Sequence, residues 1–593
     1  MRAKKIVFSV CSALLFLLML AVLELNRNTL WGWGLAAVAA GGFWFVYVRF
    51  LTRRAWFVRA GAWVGWIVVF AVVVAVTWPP VRAVPAVEHK NPDKTGVIAL
   101  SDGQVRGVMS EDGRVEVYAG IPYAKPPVGE LRWREPQDPD PWEGVLEADH
   151  FGPMSMQPTN LPLYDSLVQI VGYHDFRISL SDNSRAPVSE DSLYLNVWKP
   201  AGDAAGLPVL VYVHGGSLKT GQTWYGDYNG ESLARRGVVV VNFAYRLGVF
   251  GYLATEELAA ESPYGTTGNY GLLDQIKALE WVRDNIAAFG GDPANVTLAG
   301  ESAGAASVSA LCTSPLAAGL FERVVLESST VASVAPPHSF RLLDEALESG
   351  RGLMARHGCA TVEELRALPA EKLAGEAETQ HHMTVDGYAL TETPHESYLR
   401  GAYNEKQILH GYNSRESGAF LVLEKTTRRS YEKKVRDYFG DYADEVLALY
   451  PKGTDKECAE RWALIWGAVF FDYPHYCLNR LAVQNGIPVY EYYFSKDNGR
   501  LGPWHSGEEI YLYGNIPDGS RLFDARDREL SAQMTDYLIR YVTTGDPNGE
   551  GLPAWEQNLT STRMLEWGET TAMTEESKLP LFEILDRMDG WGD

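Results

Sequence analysis

The 593-residue sequence predicts an α/β fold, a mostly parallel central sheet with helices on both faces, preceded by three transmembrane helices. Three observations carry this expectation: three long uncharged apolar stretches near the start, short β-branched apolar runs alternating with helical patterns after residue 200, and a Gly-x-Ser-x-Gly where one run gives way to a helix.

The apolar stretches cover 6–23, 30–48 and 61–78 and are 18, 19 and 18 residues long, near the roughly 20 that a helix needs to cross hydrocarbon. One such stretch fits a buried core helix; three in succession are a membrane signature. Arg2, Lys4 and Lys5 ahead of the first suit a secretory signal. That apolar run exceeds a typical h-region, no Ala-x-Ala site follows it, and two more spans come next, so a retained anchor over 1–78 is expected. Arg49, Arg53, Arg54 and Arg59 lie between spans two and three, whereas 24–29 holds Arg27 opposed by Glu24. This asymmetry predicts an integral membrane protein with a cytoplasmic N-terminus and everything after Trp78 outside.

Residues 1–90 carry ten Lys/Arg against two Asp/Glu, so the chain's net −22 leaves −30 on the remainder. A part this acidic is a poor nucleic-acid binder and is repelled by an anionic lipid surface, so it is expected in solvent, tethered. Of five cysteines, Cys11 lies in the first span; Cys312, Cys359, Cys458 and Cys477 allow three full pairings that the sequence does not rank.

Pro79, Pro80, Pro85 and Pro92 make 79–94 a stiff linker, and 95–593 reads as one large domain without repeats. LPVLVYVHGG, VVVVNFAYR, NVTLAG and FERVVLESS read as strands, with helical patterns such as YGLLDQIKALEWVRDNIAAFG between some of them. In parallel sheets of this kind the chemistry gathers at the carboxyl ends of strands.

GESAG, residues 300–304, falls there, between a strand expected over 295–299 and a helix over 303–313. A sharp strand-to-helix elbow strains the serine and leaves no room for larger neighbours, which accounts for Gly300, Gly304 and the alanines that follow. Were Ser302 only a helix cap, Gly304 would cost up to about 1 kcal/mol relative to alanine for no purpose. Ser302 is therefore the candidate nucleophile, and Gly300, Glu301 and Gly304 its elbow. A serine needs a base and an orienting carboxylate, which in the α/β-hydrolase fold follow in the order acid, then His. His505, in the Gly/Pro-bounded loop GPWHSGEEIYLYG, is the best-placed downstream histidine, although periodicity alone does not choose it over His410 or His475.

Over about 100–570 the chain resembles the type-B carboxylesterase family, which includes cholinesterases and bacterial p-nitrobenzyl esterases. The resemblance rests on YAGIPYAKPPVGELRW (118–133), EDSLYLNVWKP (190–200), NFAYRLGVFGYLA, the block from GNYGLLDQ to GESAG, and TGDPNGEGLPAW (544–555), in family order. It implies Ser302 as nucleophile, Glu416 in GYNSRESGAF as acid and His505 as base, with Ser417 where a glycine is usual. VYVHGGS (211–217) then supplies the oxyanion hole from Gly215, Gly216 and Ser217, completed by the N–H of Ala303; Ser217 replaces a usual third glycine. The implied reaction is hydrolysis of a small-molecule ester through an acyl-enzyme, with no metal or cofactor.

Departures bear on substrate. Ser192 stands where many members have a disulfide-forming cysteine, and no tryptophan occurs between Trp142 and Trp198, where cholinesterases carry an aromatic platform, which argues against choline esters. About 335–410 is expected to form a cap and gorge wall, and His381-His382 within it reads as a solvated loop because no H-E-x-x-H accompanies it. Two other readings stay open: a tethered adhesion protein without catalysis, which the complete Ser302, Glu416 and His505 set opposes, and a lipase or thioesterase with the same elbow.

Overall fold

A computed structural model describes residues 2–593 except 82–83, 88–91, 159–162, 164–186, 377–380, 419, 422–423, 501, 560–561 and 592–593. The region compared with the cholinesterase platform therefore lies partly outside the described residues. Two compact units result, one containing residues 1–84 and the other 85–158 with 188–593.

The first unit is a bundle of three helices, α1 (Arg2–Leu25), α2 (Leu30–Val46, continued by a π-turn over Tyr47–Leu51) and α3 (Trp56–Val76). Each is long and apolar enough to cross a membrane. The third begins five residues before the expected 61 and ends at Val76, because Arg59, excluded as a charge from the apolar stretch, sits in its first turns. One end is tied by polar groups: Asn28 Nδ2 donates to Thr77 Oγ1 at 2.9 Å and to Val74 O at 2.8 Å. Aromatic rings fill the other, with Phe8 stacked on Tyr47 at 3.7 Å and Phe43 on Trp66 at 4.9 Å.

The second unit is built on a 13-stranded sheet. Its strands are β1 (Lys94–Ala99), β2 (Gln104–Met109), β3 (Val115–Pro122), β4 (Val145–Glu147), β5 (Tyr194–Pro200), β6 (Leu207–Val213), β7 (Val239–Phe243), β8 (Gly291–Glu301), β9 (Arg323–Glu327), β10 (Gln407–Asn413), β11 (Val489–Phe494), β12 (Arg563–Trp567) and β13 (Thr571–Glu575). The order is β1-β2-β3-β5-β7-β6-β8-β9-β10-β11-β12-β13, with β4 beside β2. From β7 through β12 all neighbours are parallel, and the antiparallel pairs lie toward the two edges. The central strands carry continuous apolar runs because both faces are covered. Along β6, Val209, Val211 and Val213 enter one core and Leu210 and Tyr212 the other. Helix α4 (Tyr270–Asn285) covers the first face and α6 (Ala525–Thr544) the second, while α5 (Ala303–Leu311) follows β8 directly.

Two family motifs are structural ties. Arg132 of the 118–133 motif pairs with Glu190 of the second signature at 2.6 Å and also donates to Arg366 O and Leu368 O. Arg246 makes a two-pronged pair with Asp274 of α4, at 2.7 and 2.8 Å, deep in the core. All five cysteines are free, and Ser192 donates instead to Ser155 Oγ at 3.1 Å, both side chains buried.

Candidate active site

Four carboxyl ends of parallel strands converge on one place. The strand order reverses at β6, leaving a crevice between it and β8 where ligands bind in such sheets. At the end of β8, Ser302 adopts φ +55° and ψ −126°, the strained elbow that the glycine pattern predicts. Its N–H bonds to Glu327 O of β9 at 2.8 Å. A Cβ on Gly304 would lie 2.0 Å from Val213 O, and one on Gly300 2.6 Å from the Gly304 carbonyl carbon, so β6, β8 and α5 meet through these two residues.

Glu416 follows β10 and His505 follows β11. His505 Nε2 lies 2.8 Å from Ser302 Oγ, and its Nδ1 lies 2.6 Å from Glu416 Oε2. The other Glu416 oxygen accepts from Asn413 N at 2.7 Å, which fixes the carboxylate. His410 and His475 face each other instead, Nδ1 to Nδ1 at 2.9 Å, inside the core. Burial pushes His505 down to about 4 and Glu416 upward, while an imidazolium forming 2.6 Å away favours the Glu416 carboxylate. Rings of Phe471 and Phe420 pack against His505 at 4.7 and 5.0 Å and shield it.

The turn after β6 faces Ser302. A Cβ on Gly215 would lie 3.1 Å from Ser302 Cβ, and Gly216 has φ +107° with Thr220 O 2.2 Å from where its Cβ would be. Ser217 takes φ +57°, a left-handed conformation that a glycine adopts without strain. Ala303 opens α5, so its N–H has no acceptor within that helix.

Sequence reasoning missed a layer of buried acids behind these residues. Glu301, named only for the elbow, lies with Oε1 3.3 Å from His505 Nε2 and accepts from Ser506 Oγ at 2.6 Å. Glu508 accepts from Ser328 Oγ and Tyr492 OH, each at 3.1 Å, and from Asn413 Nδ2. Tyr513 OH donates to Glu327 at 2.5 Å and Tyr212 OH to Glu509. Burial raises Glu301, Glu327 and Glu509 well above the usual carboxylate range and Glu508 to about 6. The adjacent acids in GEEIYLYG were the only available signal.

His381 and His382 do not form a solvated loop. Both are half-buried with rings 4.1 Å apart, because the following residues, Met383–Thr384, pair in parallel with Phe340–Arg341 and draw the segment inward.

Residues 94–580 match the Carboxylesterase family. The chain belongs to this family. It is 33% identical to a fumonisin B1 esterase of Sphingopyxis macrogoltabida over 471 residues, 75% of this chain and 81% of that one. It is 30% identical to carboxylesterase 1C of Rattus norvegicus, over 85% of this chain and 95% of that one. Among solved structures, a carboxylesterase of Geobacillus stearothermophilus superposes with a TM-score of 0.70 at 31% identity, covering 83% of this chain and all of that one. This carboxylesterase-family chain is accordingly a carboxylic ester hydrolase with the α/β-hydrolase fold, carrying three N-terminal helices apolar enough to span a membrane.

Proposed function

We propose that the chain is a membrane-anchored serine esterase acting through Ser302, His505 and Glu416. The observation that carries this reading is the hydrogen-bonded line from Ser302 Oγ to His505 Nε2 and from His505 Nδ1 to Glu416 Oε2. Ser302 attacks the ester carbonyl while His505 takes its proton. Glu416 steadies the imidazolium without itself taking the proton, and the N–H groups of Gly216, Ser217 and Ala303 hold the tetrahedral oxyanion. His505 then returns the proton to the departing alkoxide, leaving the acyl group on Ser302. A water molecule, deprotonated by His505, attacks that acyl-enzyme and releases the acid.

The shielding of His505 by Phe471 and Phe420 supports the same reading, since a dry site strengthens these charge interactions. The three N-terminal helices tether the chain, and the basic residues between the second and third hold that loop in the cytoplasm, leaving the esterase unit outside.

The test is the full-length chain in detergent against p-nitrophenyl esters from acetate to laurate. Ser302→Ala is expected to lower kcat/KM by at least about 10³-fold, and a fluorophosphonate is expected to label Ser302 alone. An alanine variant that kept its activity, or wild type that cleaved no ester, would overturn the mechanism in favour of a tethered binding role.

A further inference from the structure

The turn that carries the proposed oxyanion donors is strained at two consecutive positions. Ser217 and Leu218 take φ +57° and +55°, left-handed conformations that residues with a Cβ avoid, and such a turn keeps its shape only where its surroundings fix it. Its interior is closed by Lys219 N and Thr220 N, both bonded to Gly216 O at 3.0 Å. Its start and middle are held from beyond β7, where Tyr245 OH donates to His214 O at 2.7 Å and Gly248 N to Leu218 O at 2.7 Å. The end of the turn, Gly221, lies flat on its beginning, since a Cβ there would be 2.1 Å from His214 Nδ1 and 2.8 Å from Gly215 O. A Gly221 that moved inward would displace His214 and Gly215, and one that moved outward would leave them without support. Either shift re-aims the N–H groups of Gly216 and Ser217.

One side chain holds that end. Gln157 Oε1 accepts from Gly221 N at 3.0 Å and Gln157 Nε2 donates to Gly221 O at 2.8 Å, so a single planar amide grips both backbone groups of one residue, as a neighbouring strand would. Nε2 also donates to Ser155 O at 3.0 Å, and the whole side chain is buried. Two bonds fix both the place and the tilt of Gly221, whereas one would let it pivot. Gln157 is itself fixed: Met154–Ser155 pairs in parallel with Val188–Ser189, and Ser192 Oγ donates to Ser155 Oγ at 3.1 Å.

We propose that Gln157 is a positioning residue for the oxyanion hole, acting through Gly221 to keep the Gly216 and Ser217 N–H groups aimed at the place where negative charge develops. This rests on Ser302 as nucleophile and on those N–H groups as the donors. Gln157 touches no reacting atom; its contribution is the accuracy of the donors, and donors of this kind act only when they are aimed before the charge appears.

Full-length wild type would be compared in detergent with Gln157→Met, close in shape but with no donor and no strong acceptor for Gly221. Hexyl trifluoromethyl ketone reads the hole: Ser302 Oγ adds to its carbonyl carbon, the hydroxyl proton goes to His505, and the carbonyl π pair becomes the oxyanion. Hexyl methyl ketone, which adds far less readily, reads ground-state binding. Gln157→Met is expected to weaken the trifluoromethyl ketone at least about tenfold and to lower kcat/KM for p-nitrophenyl acetate, per fluorophosphonate-titrated site, by a similar factor, with the methyl ketone held within about twofold. A misfolded fraction removes titratable sites without changing either inhibition constant, so loss of fold alone does not produce this split. Gln157→Asn keeps the amide but draws it back by one methylene, and is expected to show the same split at smaller size; it carries the comparison should Gln157→Met not fold. Two ketones weakened equally, or a trifluoromethyl ketone that binds the variants as it binds wild type, overturn the proposal. Wild type that binds the trifluoromethyl ketone no better than its methyl twin would count against Ser302 and the oxyanion hole themselves, and this inference would fall with them.

Discussion

A serine with φ +55° sits in a region that non-glycine residues avoid, and the neighbouring glycines allow it to persist. That constraint is local, so GESAG was legible: the motif encodes the close approach of Gly304 to Val213 O. Gly304→Ala is expected to destabilise the chain by about 2 kcal/mol or more and to abolish turnover, because the obstructing atoms are backbone and do not rotate aside. Urea unfolding alongside p-nitrophenyl acetate turnover measures both. Glu416 tests a different contribution. Glu416→Gln keeps the shape but turns the His505 tautomer, and kcat is expected to fall about 10⁴-fold while KM for p-nitrophenyl acetate changes little. A loss of only a few-fold would show that Asn413 and the surrounding acids orient His505 without it. Other residues were not legible in isolation. His505 separates from His410 and His475 only through contacts between distant strand ends, and the inward position of His381 and His382 depends on a two-residue strand pairing that leaves no periodic trace.

Whole strands and helices follow the same logic at greater length. β6 to β9 and α4 were visible because apolar runs in a sheet covered on both faces are continuous, and α4 spaces Leu272, Ile276, Leu279 and Val282 three or four residues apart. β8 runs from Gly291 to Glu301, longer than the apolar NVTLAG core, since Gly291 pairs with Leu207 and an irregularity carries the chain from there to the regular ladder that begins at Val296. What joins the elements is polar and buried. Asp274 of α4 holds Arg246, just past β7, through two side-chain bonds and a backbone bond to Arg246 N at 3.0 Å. Asp274→Ala leaves the guanidinium buried without its counter-charge and is expected to cost about 3–5 kcal/mol. Pairing it with Arg246→Met should recover part of that loss. A denaturation midpoint in which the double variant is as unstable as the sum of the singles would contradict this account.

At the scale of the molecule, two populations of buried titratable groups pull stability in opposite directions. Burial lowers His214 to about 4 and His410 to about 3, alongside His505 at about 4, from an ordinary 6.5. The unfolded chain binds these protons first, so folded stability is lost as pH falls from about 6.5 toward 4. Burial raises Glu405 to about 7 and Glu508 to about 6 from an ordinary 4.5. Here the folded chain holds the proton longer, so their stabilisation is complete below about 4.5 and is lost as pH rises to 6 or 7. Between 4.5 and 6.5 the two effects oppose each other; above 6.5 only the carboxylates act. The melting temperature is therefore expected to peak between about pH 5 and 6.5 and to fall by pH 8.5. Activity should diverge from stability on the acid side. With His505 as the proposed base, turnover needs it uncharged, and its lowered value keeps it so down to about pH 5, well below the range in which an exposed imidazole is half protonated. Scanning calorimetry and kcat/KM for p-nitrophenyl acetate across pH 4.5–9 give the two profiles together. A melting temperature flat from pH 6.5 to 8.5 would remove the raised carboxylates from the account, and a kcat/KM midpoint near 6.5 would mean that water reaches His505 past Phe420 and Phe471.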